Sequence, residues 1–424
     1  MRDAPRGLRA LLYGEAAAKG RLERDALSLF ERWGYCRVET PSMEFLHILA
    51  RGLDPEAMKR VITFTDPAGG GKPLALRPDV TPQIARIAAT ALAGKPAPIR
   101  LCYVATVYRS AAPGTGNRME LLQAGAELIG VNSPSADAEI IALAAESLQK
   151  LIPGKAKIAV SHIGYITAAM EALGLDGVAR NAVKRALAKK NTRELAAALD
   201  GANAKGAARK ALLSAPSLFG GPGILRKAPV FGAGSRQAID QLRRVADDLK
   251  RYGVADFVAM DLGETRGLGY YTGVTFEGFA GGIGRSVLSG GRYDQLLSLY
   301  GEGRPATGFA MDLNAILDNT AGAAKDEGWT LADVLVTGPA KSGEAAIKLA
   351  AALRGKGLKV ARDLAGRSIP GAVKYARQMR MAKVAVAGEP KGRVKLIDTA
   401  TGSAEVMTVE KLLRSIGARA RKNV

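Results

Sequence analysis

The 424-residue sequence predicts an α+β fold: a strand-rich core flanked by helices, a helical insertion, and a separate C-terminal α/β domain. Three observations predict it. Residues 100–109 and 120–129 alternate in polarity on either side of a Pro/Gly loop at 112–116, the pattern of a hairpin. Residues 170–250 are rich in Ala, Lys and Arg, follow a helical period and break at Gly220–Gly223, which marks an insertion. Beyond 331, strand-like and helix-like stretches alternate, the order of a small α/β domain.

The elements follow in order. Residues 15–34 form an amphipathic helix, with Leu22, Ala26, Leu27, Leu29 and Phe30 interleaved with Arg21, Glu23, Arg24 and Glu31. Gly34 stops it, residues 36–40 alternate as a strand, and Pro41 closes that strand. Strands are expected at 61–65 and 74–77 around the PAGGGK turn. A helix at 81–92 follows, its start marked by Thr81-Pro82. Ser135-Ala136-Asp137 opens a helix to about residue 151, and strand texture returns at 256–262, 274–279 and 287–290. RPATGFAMDLNAILDN, residues 304–319, reads as a glycine turn at Gly308-Phe309-Ala310. A helix follows it, with Met311, Leu313, Ile316 and Leu317 on the apolar face. A linker at 321–328 leads to DVLVTG, LKVARDL, KVAVAG and KLIDTATG, which alternate with helices at 342–354 and 369–379 and a final helix. The expected domains are 1–325, carrying the insertion at about 170–250, and 331–424.

Composition narrows the function. A hydrophobic fraction of 47% with 24% charged residues builds a full core and excludes global disorder. No apolar run approaches the ~18 residues of a membrane span. The basic N-terminus lacks a signal peptide's apolar stretch, so a cytoplasmic protein is expected. Cys36 and Cys102 give neither a disulfide framework nor zinc spacing, and with His47 and His162 the only histidines, no histidine-rich metal site is expected. Of the net charge of +21, residues 331–424 hold +12, from 19 Lys and Arg against 7 Asp and Glu. Such a domain fits either a nucleic-acid footprint or a solvated basic surface.

Three segments carry chemistry. LRPDVTPQIAR places Asp79 between a strand and a helix start, as an N-cap or as a ligand-facing acid. In CYVATVYRSAAPGTGNRMELLQAGAELIG, alternation puts Gln123, Gly125 and Glu127 on one face. DLGETRGLGYYTGVTFEG supplies Arg266, Tyr270 and Tyr271 among glycines. Singly, each has a structural explanation. Together they suit a zwitterion with a polar ring: the arginine takes a carboxylate, an acid and an amide take an ammonium, and a Glu with a Tyr takes ring N–H groups. GGGK at 69–72 is no phosphate loop, because Asp66 and Pro73 stand where that motif needs Gly and Ser or Thr.

RPDxTPQIARIAA, LLQAGAELIG, RGLGYYTG and SGGRYDQLL, in this order, resemble the catalytic domain of histidyl-tRNA synthetases. The resemblance is stronger to their paralogues, the regulatory subunits of short-form ATP phosphoribosyltransferase. It covers about residues 5–320 and implies a class II synthetase-like antiparallel sheet flanked by helices. It places a histidine pocket on Asp79, Gln123, Glu127, Arg266, Tyr270 and Tyr271. Asp79 is a shorter acid than the family's glutamate, and Gly269 replaces an aspartate.

The nucleotide side departs from the synthetase pattern. Tyr108-Arg109-Ser110-Ala111 keeps the arginine of Phe-Arg-x-Glu and loses the glutamate, and Arg118 is out of register. Gly-Leu-Glu-Arg becomes Asp312-Leu313-Asn314-Ala315, so the triphosphate arginine is lost and Asp312 adds negative charge. Each lost charge-assisted contact is worth roughly 1.5–3 kcal/mol. Two or three losses weaken ATP binding by orders of magnitude, at ~1.4 kcal/mol per tenfold.

The resemblance therefore implies a histidine-binding subunit without catalysis or cofactor. Its implied partner is a separate catalytic subunit, in a hetero-oligomer built on a homodimer core, with no part for tRNA or membrane. A working histidyl-tRNA synthetase is the alternative. The basic C-terminal stretch, which resembles that enzyme's anticodon-binding domain, keeps it open.

Overall fold

The computed structural model describes residues 7–66, 70–110, 118–152, 154–265, 270–324, 329–339 and 343–420. The chain forms two compact units: residues 1–11 with 18–322, and residues 12–17 with 323–424.

The first unit holds, in chain order, β1 (Cys36–Arg37), β2 (Met43–Phe45), β3 (Thr63–Thr65), β4 (Pro73–Leu76), β5 (Ile99–Tyr108) and β6 (Glu120–Ile129). They are followed by β7 (Ala156–His162), β8 (Phe219–Gly220), β9 (Val258–Asp261), β10 (Val274–Ala280), β11 (Ser286–Arg292) and β12 (Ala306–Asp312). Nine form one sheet in the order β1-β5-β6-β12-β11-β10-β7-β9-β8, and β2-β4-β3 form a small second sheet. The pairs from β5 through β7 are antiparallel, while β1 on β5 and β9 on β7 are parallel additions at the flanks.

The expected hairpin forms, Ile99 opposite Ile129 and Tyr108 opposite Glu120; the loop at 112–116 lies outside the described residues. The helix Pro134–Leu151 seals this sheet with Ile140, Ile141, Leu143 and Leu148, all fully or almost fully buried. Ser133 caps its first turn by accepting the Ala136 N–H, and Pro134 occupies the first position, where its missing N–H costs nothing.

Two local readings need correction. Gly308-Phe309-Ala310 is not a turn: it lies within β12, and the helix begins at Leu313. The misreading came from taking glycine as a turn former, whereas here it serves close packing at the centre of a sheet. β7 was not anticipated, because no Gly or Pro separates it from the next helix; His162 itself makes the join by accepting the Gly164 N–H at 3.0 Å.

Between β7 and β9 lie the helices Ile163–Ala172, Gly177–Ala188, Thr192–Gly201, Gly206–Ser214 and Ala233–Arg251. The last buries Ala238, Ile239, Leu242, Val245 and Leu249 along one face and turns its arginines and aspartates outward.

The second unit is a sheet of β13 (Val334–Thr337), β14 (Val360–Arg362), β15 (Lys383–Glu389), β16 (Arg393–Asp398) and β17 (Ala404–Thr408), in the order β14-β13-β15-β16-β17. β13 runs parallel to β14 and β15, and the rest is antiparallel. β17 was missed because only Met407 of its five residues is buried, so it has little apolar alternation. The expected linker at 321–328 begins as helix, since Leu313–Ala324 runs through its first half; residues 325–328 lie outside the described residues.

Candidate amino-acid-binding site

The site starts from a steric fact about β6 and β12. Glu127 on β6 faces Gly308 on β12 across an antiparallel register. A Cβ at Gly308 would sit 1.6 Å from Glu127 Oε2, so only glycine leaves room for this carboxyl. Two positions along β6, a Cβ at Gly125 would come within 2.5 Å of the Tyr103 hydroxyl. Both glycines make space for polar groups gathered beneath the sheet.

Glu127 is 1% exposed. Thr81, at the start of the helix Thr81–Ala89, donates to its Oε1 at 2.8 Å, and the Tyr293 hydroxyl donates to Oε2. Burial pushes the Glu127 carboxyl up to about 8, against the lowering effect of those two donors. The same burial raises the hydroxyls of Tyr270, Tyr271 and Tyr293 well above their ordinary range, aided by the negative charge of Asp79 or Glu127. Tyr270 packs edge-on against Tyr271 with ring centres 5.1 Å apart, and lies 5.9 Å from the Tyr293 ring.

These groups line a cavity of about 250 Å3 that also takes in Asp79, Gln123 and Arg109. Asp79 is half-buried, and its Oδ1 accepts the N–H of the adjoining Val80 at 2.7 Å. It is not the helix cap: Val80 holds that position without a side-chain bond. The Gln123 Oε1 and the Tyr270 hydroxyl are buried with no hydrogen-bond partner among the described residues. Leaving such groups unmet costs roughly 1–3 kcal/mol each.

Of the predicted residues, Asp79, Gln123, Glu127, Tyr270 and Tyr271 meet in this one cavity. Arg266 and Ala111 lie outside the described residues. Sequence reading missed Thr81 and Tyr293, although both lie inside motifs it used, RPDVTPQ and SGGRYDQLL. Behind Tyr293 the adjacent Arg292, 5% exposed, pairs with Asp137 at 2.8 Å and Asp294 at 3.1 Å and donates to the Val131 carbonyl. That bundle fixes the strand end from which Tyr293 reaches Glu127.

Arg109 also borders a second cavity, of about 440 Å3, with Ser110, Asp312 and Ala315 in its wall. There the arginine expected on the helix is replaced by the buried Ala315. Asp312 does more than add charge: its Oδ1 caps the helix through the Ala315 N–H at 3.0 Å, and Oδ2 pairs with Arg285 at 2.7 Å. Arg118 pairs with Asp318 at 2.6 Å. The arginines of this cavity are thus partly neutralised by the chain's own acids.

A family model described as histidyl-tRNA synthetase matches residues 7–316. ATP phosphoribosyltransferase regulatory subunits from Syntrophotalea carbinolica and Geobacter sulfurreducens are each 38% identical. The first match covers 96% of this chain and 96% of the relative, the second 91% and 88%. The chain belongs to the ATP phosphoribosyltransferase regulatory subunit family. Among solved structures, an ATP phosphoribosyltransferase regulatory subunit/histidyl-tRNA synthetase from Bacillus halodurans superposes with a TM-score of 0.78 at 29% identity, over 89% of this chain and 96% of that one. A histidyl-tRNA synthetase from Nostoc superposes at 0.77 over 99% of both chains but at 19% identity, which establishes the shared fold alone. The class II synthetase-like α+β architecture expected from sequence is the one found. No helix among the described residues is long and apolar enough to cross a membrane.

Proposed function

We propose that this chain is a non-catalytic regulatory subunit of ATP phosphoribosyltransferase that binds histidine in the Glu127 cavity and sets the activity of a separate catalytic subunit. The observation carrying this reading is the contrast between two adjoining cavities. One holds a buried acid, an amide and tyrosines with unmet hydrogen-bonding atoms. The other has lost the arginine of its helix to Ala315 and opposes its remaining arginines with Asp312 and Asp318. The names of the relatives point the same way.

In this reading Glu127 and Tyr293 face the imidazole, and Asp79 with Gln123 takes the ammonium. Arg266 takes the carboxylate, as the resemblance to the synthetases implies. Histidine acts by preferring one of two states of the assembled subunits; coupling of this kind amounts to about 1–3 kcal/mol and is reciprocal between ligand and partner. A homodimer core within a hetero-oligomer, working in the cytoplasm, completes the proposal.

The decisive experiment is histidine-dependent ATP–pyrophosphate exchange on the purified chain, with histidine binding measured calorimetrically in the same preparation. Histidine binding without exchange is expected, followed by a histidine-dependent change in phosphoribosyl-ATP formation once the catalytic subunit is added. Exchange at synthetase-like rates would overturn the reading in favour of an active histidyl-tRNA synthetase.

A further inference from the structure

The second cavity is degenerate as a nucleotide site but has not lost its positive charge. Arg60, Arg109, Arg118 and Arg285 line it against two acids, Asp312 and Asp318. Those acids are engaged by Arg285 and Arg118. Among the described residues the Arg60 side chain has no partner and Arg109 uses only its Nε, donating to the Pro78 carbonyl at 2.8 Å. One backbone bond ties the two segments, the Ser110 N–H donating to the Arg60 carbonyl at 2.8 Å, while the Arg109 N–H donates to the Met119 carbonyl across the hairpin at 2.9 Å. Arg60 and Arg109 also share the wall of a third cavity, with Asp54 and Asp79 as its acids.

We propose that this cavity binds a compact phosphate-class anion, of the orthophosphate or pyrophosphate kind, through Arg60 and Arg109, with no contribution from a nucleobase. Guanidinium groups present planar forks of donors that match phosphate oxygens, and two of the four here lack an acid partner among the described residues. What the cavity lacks is a purine site: no aromatic ring stands among the described residues that line it, and its uncharged walls come from Ser110, Leu121, Asn314 and Ala315. Arg109, Arg285 and Asp312 border both this cavity and the Glu127 cavity. An anion bound here alters the field at the amino-acid site, and by linkage the amino acid alters the anion's affinity equally.

The test titrates the full chain, at about 0.15 M salt to screen non-specific charge, with orthophosphate, pyrophosphate, tripolyphosphate and ATP in separate runs. Saturable binding of pyrophosphate or orthophosphate is expected, and ATP should bind no tighter than tripolyphosphate. The variant Arg60→Ala should weaken the anion roughly tenfold or more. Asp318→Asn, which removes an opposing charge, should strengthen it. Histidine is titrated into both variants as a check on folding, since neither Arg60 nor Asp318 lines the Glu127 cavity. Absence of saturable anion binding, unchanged affinity in Arg60→Ala, or ATP binding tenfold tighter than tripolyphosphate would each overturn the proposal. Because the anion is titrated without histidine, failure here leaves the histidine reading standing, and the reverse also holds.

Discussion

The two cavities share a wall of Arg109, Leu121, Arg285 and Asp312, yet away from it they handle polar groups in opposite ways. Around Glu127 the groups are mostly buried, few and held by neighbouring strands, and Gln123 Oε1 and the hydroxyls of Tyr103 and Tyr270 are left without a protein partner among the described residues. In the second cavity the charges close on one another at the surface: the Arg285 side chain is 60% exposed where it pairs with Asp312, and the Asp318 side chain is 48% exposed where it pairs with Arg118. Burial makes the first cavity costly to keep and selective for what completes it, whereas exposure makes the second cheap to keep and easy to alter. A chain that abandons a nucleotide and retains an amino acid should show this asymmetry in its energetics.

The largest expected effect breaks the comparison at its steric base. Gly308→Ala drives a methyl into the Glu127 carboxyl and against the Ala126 carbonyl, 2.7 Å away, in the middle of the sheet. Overpacking of this kind costs about 3 kcal/mol, read as a lowered urea midpoint, and histidine binding should vanish with it. Wild-type stability would show that the strands part easily there.

Glu127→Gln comes next. The buried carboxyl stays protonated in the folded chain up to about pH 8, while in the unfolded chain it titrates near its ordinary value of 4.5. Between those values the unfolded state releases the proton first. The stabilising contribution is therefore complete below about 4.5 and is lost progressively as pH rises through 8. The loss is on the order of a few kcal/mol. In thermal melts from pH 5 to pH 8.5 the wild type should lose stability that the glutamine variant keeps. Below about pH 8 the carboxyl is neutral, so replacing it with an amide costs histidine a neutral hydrogen bond, roughly three- to tenfold in affinity. Parallel pH profiles for the two proteins would refute the role given to this carboxyl.

How far sequence reading reached follows the same division. Asp79, Gln123 and Glu127 were legible because strand alternation and a strand-to-helix junction place side chains by simple geometry. Gly308 was misread because sequence cannot tell a glycine that turns the chain from one that makes room for a neighbour's carboxyl. Tyr293 and Arg60 were passed over because their importance arises only where distant strands and loops converge. Asp312 was read as a repulsive charge, and its capping of the following helix went unseen. The same limit touches the C-terminal unit. Lys383 looks like one more surface cation, yet it pairs with Asp398 at 2.7 Å, which holds that carboxyl below its usual range, so reversing its charge would disturb the unit itself. Exposed Lys374 is the better probe of an external partner.

The next smaller effect separates stability from binding. Tyr270→Phe removes a buried hydroxyl that has no partner among the described residues and keeps the ring packed against Tyr271 and Tyr293. Stability should hold or rise by up to about 1 kcal/mol while histidine binding weakens, the pattern of a residue kept for a ligand. A loss of stability with unchanged affinity would make Tyr270 a packing residue only.

The smallest effect lies on the wall the two cavities share. Arg285→Ala deletes an ion pair that is open to water on the arginine side, and such pairs contribute about 0–1 kcal/mol. Asp312 keeps its second oxygen on the Ala315 N–H, so the helix retains its cap. The urea midpoint should move by less than about 0.5 kcal/mol in equivalent stability, and by less again in high salt, where the pair is already screened. A shift as large as that of Gly308→Ala would mean that the Asp312 side of the molecule is as tightly built as the Glu127 side. The contrast between a maintained pocket and a relaxed one would then collapse.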